Sequence, residues 1–267
     1  MTNLHLDLYW RSRHPSQVDD ARRLSRFVTG LPDFDSIYRS WLESPETRQE
    51  TAPVPLSEAE ATRLLIENMM RYDLPPDPWP ERGSDIWGGH AGPPPYDFRE
   101  ASYADTLCNI GAYGDPARGN SIQMRLSDVR PSTGQPWRTS ELRPLMKFAR
   151  EIWQPMEMRA TFSFYNVPKI PDPKLAARLA PYARARPKIA DSIMAGSERP
   201  LEPRIGWITY LPPDLAARAK YPADVEVEAL TDGASLVTLC EEPFGKGDAA
   251  DLARLHALEA ALRPIQS

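Results

Sequence analysis

Residues Val225 to Leu239 read VEVEALTDGASLVTL. Two strand-like runs flank Asp232-Gly233, a dipeptide suited to left-handed φ, and this pattern predicts a β-hairpin. Glu226 and Glu228 share one face of its first strand, with Val225 and Val227 on the other. The expected packing turns the valines inward and the carboxylates outward. From Asp224 to Glu242 the chain carries Asp224, Glu226, Glu228, Asp232, Glu241 and Glu242 and no Lys or Arg. Such a face is either a solvated edge kept from aggregating by its charge or a negative patch matched to a basic partner. Convergence with Asp214 and with the tryptophans of a second, unusual segment would favour the partner.

Further strands and helices surround this hairpin. Leu4 to Trp10, LHLDLYW, alternates with Leu4, Leu6 and Leu8 on one face and predicts a half-buried strand. Val18, Ala21, Leu24, Ser25 and Val28 form a helical stripe that Gly30-Leu31-Pro32 ends. Phe34, Ile37, Tyr38 and Trp41 fit a short helix, and Ser57 to Glu60 is a capping box opening another. Strands are expected over Tyr103–Tyr113, Ser121–Leu126, Thr161–Val167 and Ile205–Leu211. A helix beginning at Thr139 or Ser140 points Leu142, Leu145, Met146, Ala149, Ile152, Trp153 and Met156 inward. Helical pieces are expected over 173–196, a short helix over Asp214–Lys220, and a last amphipathic helix along Leu252, Leu255, Leu258, Glu259 and Leu262. The order is neither strict βαβα alternation nor a bare meander. It predicts one α+β domain over residues 1–267, a largely antiparallel sheet with helices packed on one face.

The second segment is Leu74 to Phe98, LPPDPWPERGSDIWGGHAGPPPYDF, which holds seven of the 29 prolines. Proline lacks the donor that a helix interior or central strand needs, so this stretch is expected to be a long Pro/Trp-rich loop. Loops of that length are functional or disordered, and the aromatics Trp79, Trp87 and Tyr96 argue for order. Their side chains either plug the core or anchor a partner, since Trp and Tyr are frequent interface hot spots.

The totals are those of a globular chain: 267 residues, 41% hydrophobic, 26% charged. A net charge of −5 does not suit direct binding to nucleic acid, whose phosphates attract Lys and Arg. It is compatible with a basic protein partner. Cys108 and Cys240 lie in apolar strand-like runs, as buried thiols or, less simply, a disulfide. The start, MTNLHLDLYWRSR, has no signal-peptide pattern, and no apolar run is long enough for a membrane span, so the cytoplasm is the expected address.

Marks of catalysis are absent. The four histidines, His5, His14, His90 and His256, show no HExxH or HxH spacing, and there is no CxxC, GxGxxG or GxSxG. Gly245-Lys-Gly-Asp248 lacks the frame of a phosphate-binding loop and reads as a helix entry. No catalytic residue, metal or cofactor is therefore expected. One alternative is an enzyme with an unmarked site formed by Asp85, His90 and Tyr96 in one pocket. Another is a secretion adaptor or chaperone with a broad apolar surface.

Four stretches, LHLDLYWRSR (4–13), FDSIYRSWL (34–42), DIWGG (85–89) and GWITYLP (206–212), resemble the immunity protein 52 family over most of the chain. Members of that family are antitoxins of polymorphic toxins that carry a restriction-endonuclease-like nuclease domain, commonly delivered by type VI secretion. The resemblance implies a non-enzymatic cytoplasmic protein that binds a cognate nuclease toxin and neutralises it. It carries no contact residues over. In such a complex Glu226, Glu228, Asp232 and Asp214 are expected to steer the encounter, and Trp79, Trp87 or Tyr96 to anchor it. Self-association is left open by the sequence.

Overall fold

The computed structural model describes residues 3–11, 17–39, 41–42, 59, 85–91, 104–110, 119–126, 130, 132–163, 205–241 and 249–265. Strand β1 is Asn3–Arg11, followed by helix α1, Gln17–Gly30, and two 3-10 turns, Leu31–Asp33 and Ser36–Arg39. Strands β2 (Trp41–Leu42), β3 (Asp85–Ala91), β4 (Ala104–Ile110) and β5 (Gly119–Leu126) precede helix α2, Thr139–Trp153. Then come β6 (Glu157–Ser163), β7 (Ile208–Leu211), the short helix α3 (Pro213–Ala216), β8 (Glu226–Ala229), β9 (Ser235–Thr238) and helix α4 (Ala249–Leu262).

The nine strands form one sheet in the order β2-β3-β4-β5-β1-β6-β7-β9-β8. Every pairing is antiparallel. This is the expected α+β arrangement. The alternation in β1 sets the sheet's faces. Leu8 stands in register with Ile122 and Met158, and Leu6 with Met124 and Ala160. Met158 in turn pairs with Tyr210, and Tyr210 with Leu236. These residues are all buried on one face. Each such aliphatic side chain contributes roughly 1.5–3 kcal/mol when fully withdrawn from water.

Helices α1 and α2 lie over that face. Trp10 of β1 meets Trp153 of α2 at 5.0 Å between ring centroids, and Phe27 of α1 stacks on Phe148 at 5.8 Å. Leu142, Leu145, Met146, Ala149, Ile152 and Trp153 are buried, as their helical spacing predicts. Met156 is not: it is 37% exposed. The helix ends before it, because Gln154 turns left-handed at φ 45° and Pro155 follows with no donor to continue the ladder. At the other end Glu141 accepts the Arg138 N–H at 2.9 Å, half of a capping box.

The opposite face is also buried at the sheet centre. Asp7, Tyr9, Glu157, Thr209, Leu211 and Val237 have little exposed surface. Arg159 donates to Asp7 at 3.0 Å there. Burial opposes the Arg159 charge, yet the Asp7 and Glu157 carboxylates and Tyr9 outweigh it and raise its pKa. The core residues Leu255, Leu258 and Leu262 of α4 join the same hydrophobic cluster.

Two expectations change. The Leu74–Phe98 segment is not one continuous loop, because Asp85–Ala91 is β3 and pairs with β4 over its whole length. Ladder hydrogen bonds to a seven-residue partner outweigh the poor strand propensity of Gly88 and Gly89. The Phe34–Trp41 helix is a 3-10 turn, and Trp41 begins β2. Apart from the helical residue Ala59, the expected helices at 57–69 and 173–196 lie outside the described residues.

Candidate functional site

The predicted hairpin is β8–β9, with Glu226 opposite Thr238, Val227 opposite Val237 and Glu228 opposite Leu236. Its turn is longer than Asp-Gly alone implies. The Gly233 N–H bonds the Leu230 carbonyl at 3.0 Å, and the Leu230 N–H bonds the Ala234 carbonyl at 2.8 Å. Gly233 alone has positive φ, +87°. This is a four-residue turn closed by a glycine bulge rather than a two-residue turn with both central residues left-handed. Asp232 Oδ1 accepts the Ala234 N–H at 3.2 Å and holds the turn.

The faces of β8 are the reverse of the expectation. Glu226 and Glu228 lie on the α2 side, in register with Leu236 and Thr238, while Val227 is 37% exposed on the other side. The reason is a basic stripe on α2. Arg143, Lys147 and Arg150 recur at the helical period and meet Glu226, Glu228 and Asp232 respectively. Arg143 donates to Glu226 at 2.6 Å and to Thr238 Oγ1 at 2.9 Å. Arg150 also lies over the Tyr210 ring, 5.8 Å from its centroid. The hydrogen bond from Arg143 holds the Glu226 carboxyl below the ordinary range, and the same bond raises Arg143. Thr139, in the first turn of α2, donates to Glu241 beyond β9. The three hairpin acids thus form an ion-pair ladder with α2 and are not a bare negative patch.

This ladder still faces water. Glu226 is 60% exposed in its side chain, Glu228 31% and Asp232 41%. Asp224 is 55% exposed and paired with Arg254 at 3.6 Å. Asp214 is exposed in the first turn of α3. That helix abuts the hairpin turn, since a Cβ at Gly233 would stand 3.8 Å from Pro213. Asp214 and the hairpin acids therefore share one end of the sheet.

Trp87 does not join them. It lies on β3, opposite Cys108, at the far side of the sheet. Seven strand steps separate β3 from β8, on the order of 30 Å at about 4.8 Å per step. Trp79 and Tyr96 lie outside the described residues. Asp85 and His90 share β3, in register with Ile110 and Asp105 of β4. Cys240 is a reduced, half-buried thiol whose carbonyl accepts the Trp207 indole N–H at 2.7 Å. Among the described residues no three His, Cys, Asp or Glu side chains gather as a metal site, and no helix is long and apolar enough to cross a membrane.

The residues that sequence reasoning missed are Arg143, Lys147 and Arg150. Their one signal was spacing: three cations at i, i+4 and i+7 line one flank of the helix, a pattern that a solvated face shows equally.

No family model matches the chain, and no curated protein matches its sequence. Among solved structures, the Pseudomonas aeruginosa T6SS protein PA0821 is similar in fold, with a TM-score of 0.55. The match covers 100% of this chain and 77% of that one at 15% identity.

Proposed function

We propose that this chain is an immunity protein of a type VI secretion system, which binds a cognate nuclease toxin in the cytoplasm and neutralises it without catalysis of its own. The observation that carries the reading is the fold shared along the full chain with a T6SS protein. Several features support it. The four motifs that resemble the immunity protein 52 family are spread over β1, the turn after α1, β3 and β7. The partner is a nuclease domain, whose phosphate-binding groove is basic. Asp214 and the partly exposed carboxylates of Asp224 and the hairpin, the latter paired with cations of α4 and α2, are the acids this end of the sheet offers to such a groove.

Two rival readings, an enzyme with a site on Asp85, His90 and Tyr96 and a secretion adaptor, are separated from this one by the experiment that tests it. The test is co-expression with the nuclease-domain protein encoded beside this chain. Growth rescue and co-purification of the pair are expected. A toxin that kills equally with and without this chain, or a pair that separates on a sizing column at micromolar concentration, overturns the reading.

A further inference from the structure

The hairpin's hydrogen-bond pattern shows which backbone groups face outward. Leu230 and Ala234 form a bonded pair at the turn, and bonded and non-bonded pairs alternate from there. Glu228 and Glu226 therefore bond inward to β9. Val227 and Ala229 point their N–H and C=O groups outward from the last strand of the sheet. Among the described residues no hydrogen bond reaches either N–H. The next outward donor, Val225, is already used on the Pro222 carbonyl at 3.4 Å. Both Val227 and Ala229 are exposed.

We propose that this edge, Glu226–Ala229, takes an extended segment of a partner protein as a further strand, with basic residues at alternate positions. The inference deepens the protein-binding reading above and rests on it. Main-chain bonds to Val227 and Ala229 supply the attachment, and alternate side chains supply the selection. On the α2 side, an incoming residue opposite Glu226 or Glu228 occupies a non-bonded site, the closer kind. There a Lys or Arg meets a carboxylate that is 60% or 31% exposed and shares it with Arg143 or Lys147 behind it, and Asp224 and Asp232, also paired, border the same edge. On the other side Val227 and Ala229 offer a small apolar surface to a β-branched residue. A second copy of this chain is the wrong occupant. The register that uses Val227 and Ala229 of both copies is centred on Glu228 and sets the two Glu228 carboxylates against each other, which is destabilising.

Proline separates docking from folding. Val227→Pro removes an outward N–H and leaves the ladder to β9 intact, the position at which an edge strand tolerates proline. The probe is a synthetic peptide alternating Lys with Val or Thr, alongside its Glu/Val counterpart. The expected result is that the lysine peptide slows amide exchange at Val227 and Ala229 by about tenfold or more, and that Val227→Pro, with an unchanged circular dichroism spectrum, lowers its affinity by a similar factor. Val227→Thr retains binding. Should Val227→Pro not fold, the pair Arg143→Glu with Glu226→Lys keeps the ion pair and shifts preference toward the glutamate peptide. Equal binding of both peptides by the parent chain, no protection at millimolar lysine peptide, or a dimer that Val227→Pro dissolves overturns the proposal. A toxin bound equally well by the parent and by folded Val227→Pro overturns it and leaves the immunity reading standing. A peptide that docks on β8 while no toxin binds supports the edge site and overturns the immunity reading instead.

Discussion

Gly206 shows what the residues behind the family resemblance do. A Cβ there would stand 2.3 Å from the Ala160 carbonyl oxygen, a backbone atom that cannot swing aside. The Gly206 N–H donates to Thr209 Oγ1 at 3.0 Å, Trp207 is tied to the Cys240 carbonyl, and Ile208 and Leu211 are buried. The GWITYLP stretch is thus a set of packing instructions for the β6–β7 contact. The same holds after α1, where the buried Asp35 accepts the Ile37 N–H at 3.0 Å and the Ser132 hydroxyl at 2.8 Å and faces Arg130 at 3.4 Å. Burial, with the Asp35 charge adding to it, pushes the Tyr38 phenol well above its ordinary pKa. Gly206→Ala is expected to cost at least about 2 kcal/mol in urea unfolding, because the strands must part to admit the methyl group. A loss under about 0.5 kcal/mol would show that β7 shifts freely. Asp7→Ala is expected to cost about 3 kcal/mol, since it leaves the buried Arg159 guanidinium with less of its compensating charge. Asp7→Asn, which keeps an acceptor, is expected to cost less in the same assay.

Between elements, the ladder from α2 to the hairpin makes graded predictions. Its pairs are partly exposed, so each contributes only about 0.5 kcal/mol once solvent screening is counted. A double-mutant cycle on Lys147→Met and Glu228→Gln should return a coupling of that order that fades in molar salt. The sign of the pH effect follows from Glu226, whose folded pKa is depressed by the bond from Arg143. Its contribution is present above the unfolded carboxylate value of about 4.3 and is lost as pH falls through the folded value. Arg143→Met should return the Glu226 titration to the ordinary range, and a carbon-detected NMR titration reads it directly. Much of this arrangement was legible in the chain. The alternation of Leu4, Leu6 and Leu8 marked β1, the helical spacing of Leu142 to Trp153 marked α2, and Asp232-Gly233 marked the hairpin. Period fixes which residues share a face, but it does not say which face turns inward. For β8 that depended on the cations of α2, about 80 residues earlier. Strand β3 was hidden for a different reason: flanking prolines and two glycines dominate the local composition, and only pairing with β4 reveals the strand.

Across the whole molecule, one sheet carries the two stretches with the strongest claim on a partner at nearly opposite ends. Trp87 sits one strand in from β2, and the acidic hairpin forms the other edge. A partner that touched both would have to reach across on the order of 30 Å of sheet, given strand spacings of about 4.8 Å. A standard interface covers roughly 800 Å² on each side, so only a large or elongated protein partner could span it. The two ends should then behave as separate contributions. Sites with no shared neighbours add within about 0.5 kcal/mol, so in binding to the proposed toxin partner the losses from Trp87→Ala and Val227→Pro should sum. Residues that build the same edge should not. Glu228→Gln and Val227→Pro both act on the β8 contact, and their combined loss should fall short of the sum. Isothermal titration of the three single and two double variants against the proposed partner checks both statements. If Trp87→Ala changes affinity by less than about 0.3 kcal/mol while the hairpin variants cost about 2 kcal/mol or more, the DIWGG strand belongs to the fold and the interface lies at the acidic edge. The converse result moves the interface to the β2–β3 end, and the hairpin acids then serve only to hold β8 against α2.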